Sequence, residues 1–152
     1  RYNLDPFRHY TDEQLWDTLE AVQLKTKIDN LKDKLNTQIA EYGSNFSVGE
    51  CQLICVARAI LKQSKILLID EATAHVDTKT DQLIQQILRE KFIDQTILTI
   101  AHRLNTVMNS DKIVIMNDGI IAQYGAPTEL FSQQNQLLTG IDNDNELSSI
   151  SK

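Results

Sequence analysis

The sequence predicts an α/β domain with a parallel sheet at its core, a small helical subdomain before the sheet and a β-hairpin after it. Three apolar runs have the length of strands, over residues 65–70, 96–101 and 111–116. The first two runs flank a segment with helical apolar spacing, which predicts a right-handed crossover and therefore parallel strands. Asn117-Asp118-Gly119 predicts a type I′ turn that leads from the third run into residues 120–124.

The helices are predicted from spacing and from end signals. Residues 11–31 have apolar side chains at helical spacing, and Thr11 with Gln14 has the pattern of a capping box. A polar segment over residues 32–48 leads to a second helix over about residues 49–62. The face of the crossover helix is predicted from five apolar side chains: Leu83, Ile84, Ile87, Leu88 and Phe92.

Composition excludes several classes of function. The chain has 152 residues, a net charge of −6 and no run of Lys and Arg, which argues against a nucleic-acid surface. Its apolar runs are far shorter than the ~20 residues that cross a bilayer. The sequence starts without Met or a signal pattern, so we expect a piece of a longer chain. Cys51 and Cys55 lack further zinc ligands nearby, which suggests reduced structural thiols.

An acidic pair, Asp70-Glu71, ends the first predicted strand. Ligands bind at the carboxyl ends of parallel strands in α/β sheets. This is the Walker B arrangement, in which Asp70 can hold Mg²⁺ through its water shell and Glu71 can polarise a water that attacks a γ-phosphate. Taken alone, the pattern is more often a buried strand followed by an acidic helix cap.

A second candidate site is the start of the helix at about residue 49. Ser47 and Gly49 stand just where the helix begins, so a hydroxyl and free backbone N–H groups are available to an anion. The simpler reading is a Ser cap on an ordinary helix. The spacing to the other motifs decides between them.

Five elements occur in an order and spacing that resemble an ATP-binding cassette. They are Phe46-Ser47-Val48-Gly49-Glu50, Ala57-Arg58-Ala59, residues 66–71, Ala74-His75-Val76-Asp77 and His102. The resemblance implies the C-terminal portion of a P-loop NTPase domain that uses ATP and Mg²⁺. It implies a signature segment, contacting a nucleotide in trans, formed by Ser47, Val48, Gly49 and Glu50.

The same resemblance implies roles for the remaining motif residues. Asp70 would hold Mg²⁺ through water, and Asp77 would belong to the D-loop. Glu71 and His102 would be catalytic, with the His102 imidazole contacting the γ-phosphate. His75 is interpreted as a variant within the D-loop sequence, and His9 is predicted to be a surface residue. The cations Arg8, Lys25 and Lys27 are likewise given no role in the site.

Over about residues 1–132, the amino-acid sequence is similar to the second cassette of the multidrug-resistance-associated (C) subfamily. The matching segments are Asn3-Leu4-Asp5-Pro6-Phe7, Asn45-Phe46-Ser47-Val48-Gly49 and residues 99–106. This implies a domain at the cytosolic face of a membrane that couples ATP hydrolysis to export of organic anions or xenobiotics. Its implied partners are the other nucleotide-binding domain and the transmembrane domains of the same transporter, with no nucleic acid.

The motifs predict three parts. Residues 1–48 form the helical subdomain and the loop to the signature, and residues 49–132 form the C-terminal half of the ATPase core. Residues 133–152 form a polar tail that is partly disordered.

Two features depart from the family pattern. The phosphate-binding Gly-x-x-x-x-Gly-Lys-Ser/Thr sequence, Walker A, does not occur in these 152 residues, so the chain alone is predicted to be inactive. Glu50 and Cys51 stand where the family has Gln and Arg, which predicts weaker anion binding. In this subfamily, that signature serves the site that turns over poorly, whereas Glu71 belongs to the competent site.

Two alternatives follow from these departures. The first is a catalytically silent binding domain, favoured by the missing Walker A together with Glu50 and Cys51. The second is the C-terminal lobe of a repair or chromosome-type ATPase, which normally follows a long coiled coil. The sequence has no heptad repeat of apolar residues at its start near Arg1, so it gives no sign of such a coiled coil.

Overall fold

The structure, a computed structural model, describes residues 1–70, 76–101 and 104–133. Its α-helices are α1 Asp12–Ala21, α2 Lys25–Asp29, α3 Val48–Lys62, α4 Thr78–Lys91, α5 Leu104–Met108 and α6 Pro127–Gln133, and short 3-10 helices occur over Lys34–Asn36 and Glu41–Gly43. Its strands are β1 Ile66–Asp70, β2 Thr96–Ile100, β3 Ile113–Asn117 and β4 Ile120–Gly125. The predictions for Glu71, His75, His102 and the tail from residue 134 onward lie outside the described residues.

The chain forms two compact units, of which the first comprises Arg1–Thr99 and the second begins at Ile100. The first unit contains the helical region, the helix α3, the strand β1 and the helix α4. The second contains the hairpin of β3 and β4. The three-part division into residues 1–48, 49–132 and 133–152 concerns functional roles and stays a prediction.

The helical region contains two helices where the sequence predicted one. α1 ends at Ala21 and α2 starts at Lys25, and Gln23 between them has a left-handed φ of 58°. Val22 and Leu24 are both buried, at 0% and 3% exposure. Residues two apart lie on different faces of a continuous helix, so the chain must turn here to bury both side chains.

The start of α1 confirms the predicted capping box. The Thr11 hydroxyl accepts from the Gln14 amide at 3.3 Å, and the Gln14 side chain accepts from the Thr11 amide at 2.9 Å. The helix then buries Leu15 and Leu19 completely or almost so, in a cluster that includes side chains of α3 and α4. The helical region and α3 therefore share one apolar core.

β1 and β2 form a parallel pair, as predicted, with α4 between them in the sequence. The predicted face of α4 is buried at Ile84, Ile87 and Leu88. Both strands alternate between half-buried and exposed residues, so only one sheet face packs on this core. The other face exposes large apolar side chains, which are Ile66, Leu68, Leu98 and Ile100.

The second unit confirms the predicted hairpin. β3 and β4 pair antiparallel, and Asn117 lies opposite Ile120 across a two-residue loop. Asp118 and Gly119 have φ values of 49° and 78°, as a type I′ turn requires at both central positions. Among the helices of the described stretches, none has both the length and the apolarity needed to cross a bilayer.

Candidate functional site

Ser47 begins α3 with a complete capping box. Its hydroxyl accepts from the Glu50 amide at 3.2 Å, while the Glu50 carboxylate accepts from the Ser47 amide at 2.7 Å. Because the Ser47 oxygen is the acceptor here, its hydroxyl proton can still be donated to an outside group. The amides of Val48 and Gly49 have no acceptor among the described residues. Ser47 and Val48 are exposed, whereas Gly49 is buried, so the helix start offers the Ser47 hydroxyl and the Val48 amide at its positive end, which is chemistry suited to a phosphate.

The Glu50 carboxylate has a partner that the sequence did not predict. The ammonium of Lys27, on α2, lies 2.5 Å from Glu50 Oε2. Burial acts to raise the pKa of the Glu50 carboxyl, but the hydrogen bonds from Lys27 and Ser47 outweigh it, so the pKa lies below its ordinary value. Glu50 is therefore charged at neutral pH and paired. Lys27 was missed because it lies 23 residues away and belongs to no motif.

Gly49 is in close contact with the start of α4. A Cβ atom at this position would lie 2.8 Å from Thr80 Cγ2 and 3.0 Å from Thr80 Oγ1. These distances are shorter than ordinary van der Waals contact, so the Thr80 side chain occupies the space above the glycine. The signature glycine is required here because α3 and α4 approach so closely.

Thr80 also connects Gly49 to Asp77. The Thr80 hydroxyl donates to Asp77 Oδ2 at 2.7 Å, and Asp77 Oδ1 accepts from the amides of Lys79 at 3.0 Å and Thr80 at 3.1 Å. Asp77 thereby caps α4. The structure thus brings together two predicted site elements, the signature segment and Asp77, through a residue that the sequence analysis did not single out.

We expect the cap at Asp77 to be lost only in acid below the ordinary aspartate range. Hydrogen bonds from Thr80 and Lys79 hold the pKa of Asp77 below its ordinary value. A lowered pKa contributes stability above the unfolded value of about 3.9, and the contribution is lost as pH falls through the folded pKa. The pH dependence of the Lys79 and Thr80 amide resonances measures it. A titration midpoint at or above about 3.9, or one that persists in Asp77→Asn, would contradict the assignment.

Asp70 lies at the carboxyl end of β1 with its side chain exposed. No hydrogen bond or ion pair of the described residues joins it to the signature segment. The described residues also contain no group of three or more His, Cys, Asp and Glu that could hold a metal. A single exposed carboxylate fits Mg²⁺, which usually keeps several waters and binds one or two carboxylates together with substrate phosphates. Glu71 and His102 lie outside the described residues, so their roles stay predictions.

Comparisons with known proteins agree with these motifs. The profile of the family "ABC transporter" matches residues 3–74. The chain is 57% identical over 137 residues to mouse "ATP-binding cassette sub-family C member 4", covering 90% of this chain and 10% of that protein. It is 54% identical over 133 residues to "Probable multidrug resistance-associated protein lethal(2)03659" of Drosophila melanogaster, covering 88% of this chain and 10% of that protein. The chain thus spans about 10% of the length of these relatives.

A solved structure, described as a bacterial Atm1-family ABC exporter with ATP bound, has the same fold. Its TM-score is 0.80 at 28% sequence identity, and the match covers 95% of this chain and 26% of that one. The fold is therefore that of an exporter nucleotide-binding domain, of which these residues form a part. The chain therefore belongs to the ATP-binding-cassette transporter family, and its sequence relatives place it in the multidrug-resistance-associated (C) subfamily.

Proposed function

We propose that this chain supplies the C-terminal half of the second nucleotide-binding domain of a C-subfamily exporter at the cytosolic face of a membrane. ATP hydrolysis there would drive export of organic anions or xenobiotics through transmembrane domains of the same transporter. The observation that carries the proposal is the start of α3, where the exposed Ser47 hydroxyl and Val48 amide are free to donate. These donors would contact a nucleotide held by the other nucleotide-binding domain.

The residues after β1 would serve the nucleotide of the domain's own site. Asp70 would hold Mg²⁺ through water, and bound Mg²⁺ would neutralise charge on the phosphates. Glu71 would accept a proton from the attacking water, and His102 would contact the γ-phosphate. The exposed position of Asp70 at the end of β1 supports this division of roles.

The exposed face of the β1–β2 pair supports the prediction that these residues need a further part of the domain. Leu68 and Leu98 are 71% and 59% exposed on this face. Parallel sheets are ordinarily covered on both faces. We propose that a lobe of the same domain that carries Walker A covers this face, because large apolar side chains are exposed on it and the matched exporter chain is longer than these residues.

The purified 152-residue chain is expected to show no ATP turnover above background. Its sequence contains no Walker A, the motif that supplies the nest of N–H groups and the Lys for the β- and γ-phosphates, so Asp70 and Glu71 would have no substrate to act on. Phosphate release from the chain and from a full-length transporter containing it, under the same conditions, measures the difference. Turnover by the chain that disappears in Glu71→Gln would overturn this prediction.

A catalytically silent domain remains the second candidate, because Glu50 and Cys51 depart from the family pattern. Full-length Glu50→Gln/Cys51→Arg tests whether these two residues weaken the site, and we expect it to bind ATP more tightly there than the wild type. Phosphate release by the wild-type full-length transporter then distinguishes a weakened site from a silent domain. Unchanged affinity would remove this explanation of the two departures. The repair-type alternative loses its support, since the matching family is described as "ABC transporter" and the matching solved structure as an ABC exporter.

A further inference from the structure

Lys27, on α2, contacts two residues that flank Ser47 in the sequence, Phe46 and Glu50. Its ammonium lies 2.5 Å from Glu50 Oε2 and 5.0 Å from the centre of the Phe46 ring. The ring face of Phe46 attracts the cation, and the carboxylate pairs with it. The side chains of Lys27 and Glu50 are 37% and 24% exposed, so the pair is more shielded from solvent than the other lysine pair on α2, Lys25–Glu20, at 45% and 65%.

The same carboxylate oxygen accepts two hydrogen bonds. Glu50 Oε2 accepts from the Lys27 ammonium at 2.5 Å and from the Ser47 amide at 2.7 Å. The Lys27 contact therefore fixes the carboxylate where it closes the capping box. Without the ammonium, the Glu50 side chain could leave the Ser47 amide and move about the helix start.

The charge at this helix start makes the position of Glu50 consequential. Glu50 is the acidic residue of the first turn of α3, and the residue that follows it, Cys51, is uncharged. A carboxylate free to approach a bound phosphate repels it, whereas a carboxylate paired with an ammonium presents little net charge. Lys27 is the cation that provides this pairing in the described structure.

We propose that Lys27 is a positioning residue for the signature segment: it holds the Glu50 carboxylate on the Ser47 amide and neutralises it, so that a nucleotide phosphate can approach the Ser47 hydroxyl and the Val48 amide. The proposal rests on the proposed function, since it presumes that the signature segment contacts a nucleotide. It changes the interpretation of Glu50 from an unpaired defect to one member of a compensated pair.

The test is equilibrium binding of a non-hydrolysable ATP analogue to a full-length transporter that carries this chain. Lys27→Met keeps the apolar stem and removes the charge, and we expect it to weaken binding at the signature's site by about two- to fivefold. In the Glu50→Gln background, where no carboxylate can be released, the same change should leave affinity close to that of Glu50→Gln alone. Lys27→Arg keeps the positive charge and should bind more tightly than Lys27→Met.

Two reference variants separate the possible failures. Lys25→Met removes the neighbouring cation of α2, which pairs with Glu20 at 2.8 Å, and should leave affinity unchanged. Ser47→Arg should abolish binding at this site. If Ser47→Arg has no effect, the proposed function of the segment is wrong and the inference is lost with it. If Ser47→Arg acts but Lys27→Met has equal effects with Glu50 and with Gln at position 50, only the inference is overturned.

Discussion

Replacing Glu71 with Gln, in a full-length transporter that carries this chain, is expected to lower ATP hydrolysis by about 10²- to 10⁴-fold while ATP binding persists. Glu71 directly follows Asp70, which ends β1 at the edge of the sheet where the proposed function places the attacking water. Gln keeps the shape of the side chain but cannot accept the proton. Phosphate release and retained ATP, measured on one preparation, report the two halves of the prediction.

Glu90→Gln is the matched control for this substitution. Glu90 is an exposed residue near the end of α4, and its carboxylate accepts from the Gln86 side chain at 2.8 Å. The control should hydrolyse ATP like the wild type, since it removes a charge of the same kind away from the site. A Glu71→Gln protein that loses binding and hydrolysis in equal proportion would show that Glu71 acts in nucleotide binding rather than on the water.

The sequence predicted best the features that depend on residues close together in the chain. The capping box at Thr11 and Gln14 and the type I′ turn at Asp118-Gly119 each involve neighbours within one turn of chain. Their geometry follows from local hydrogen bonds and from φ preferences, so the structure confirms them with little shift in position. The position of Asp70 at the end of a strand was predictable for the same reason.

The break between α1 and α2 was not predicted, because two criteria conflicted. Apolar residues recur at helix-like spacings over residues 11–31, and this pattern by itself favours one continuous helix. Burying both Val22 and Leu24 requires Gln23 to take a left-handed conformation, which its residue type does not favour. Tertiary packing therefore overrides local propensity at this point.

The contacts that organise the signature segment join residues distant in sequence. Lys27 reaches Glu50 from α2, and Thr80 reaches Gly49 from α4. No spacing rule connects either pair, and a single sequence contains no other signal of their proximity. The sequence thus predicted which residues of the signature and D-loop to consider, whereas the structure was needed to find the side chains that hold them in place.

Gly49→Ala is expected to destabilise the protein by about 1–3 kcal/mol, although Ala is the better helix former. The gain from replacing Gly inside a helix is only about 0.5–1 kcal/mol. The added Cβ would lie 2.8 Å from Thr80 Cγ2, and the Thr80 hydroxyl is held by Asp77 at 2.7 Å, so Thr80 cannot turn aside without losing that bond. Overpacking therefore outweighs helix propensity. Urea unfolding of wild type and variant measures the difference.

Thr80→Ala identifies the contact responsible. It removes both Cγ2 and Oγ1 and leaves only Cβ, 3.3 Å from the added atom, so Gly49→Ala should cost clearly less in that background than in the wild type. Gly119→Ala is the control: Gly119 has a φ of 78° and no atom within 4 Å of the point that a Cβ would occupy, so its cost comes from backbone strain and should not depend on Thr80. Equal effects of Gly49→Ala in both backgrounds would rule out Thr80 as the cause. A smaller effect of Gly49→Ala in the Thr80→Ala background would instead show that the two substitutions are coupled. A side chain added at Gly49 would then also disturb the hydrogen bond to Asp77, because Thr80 contacts both residues.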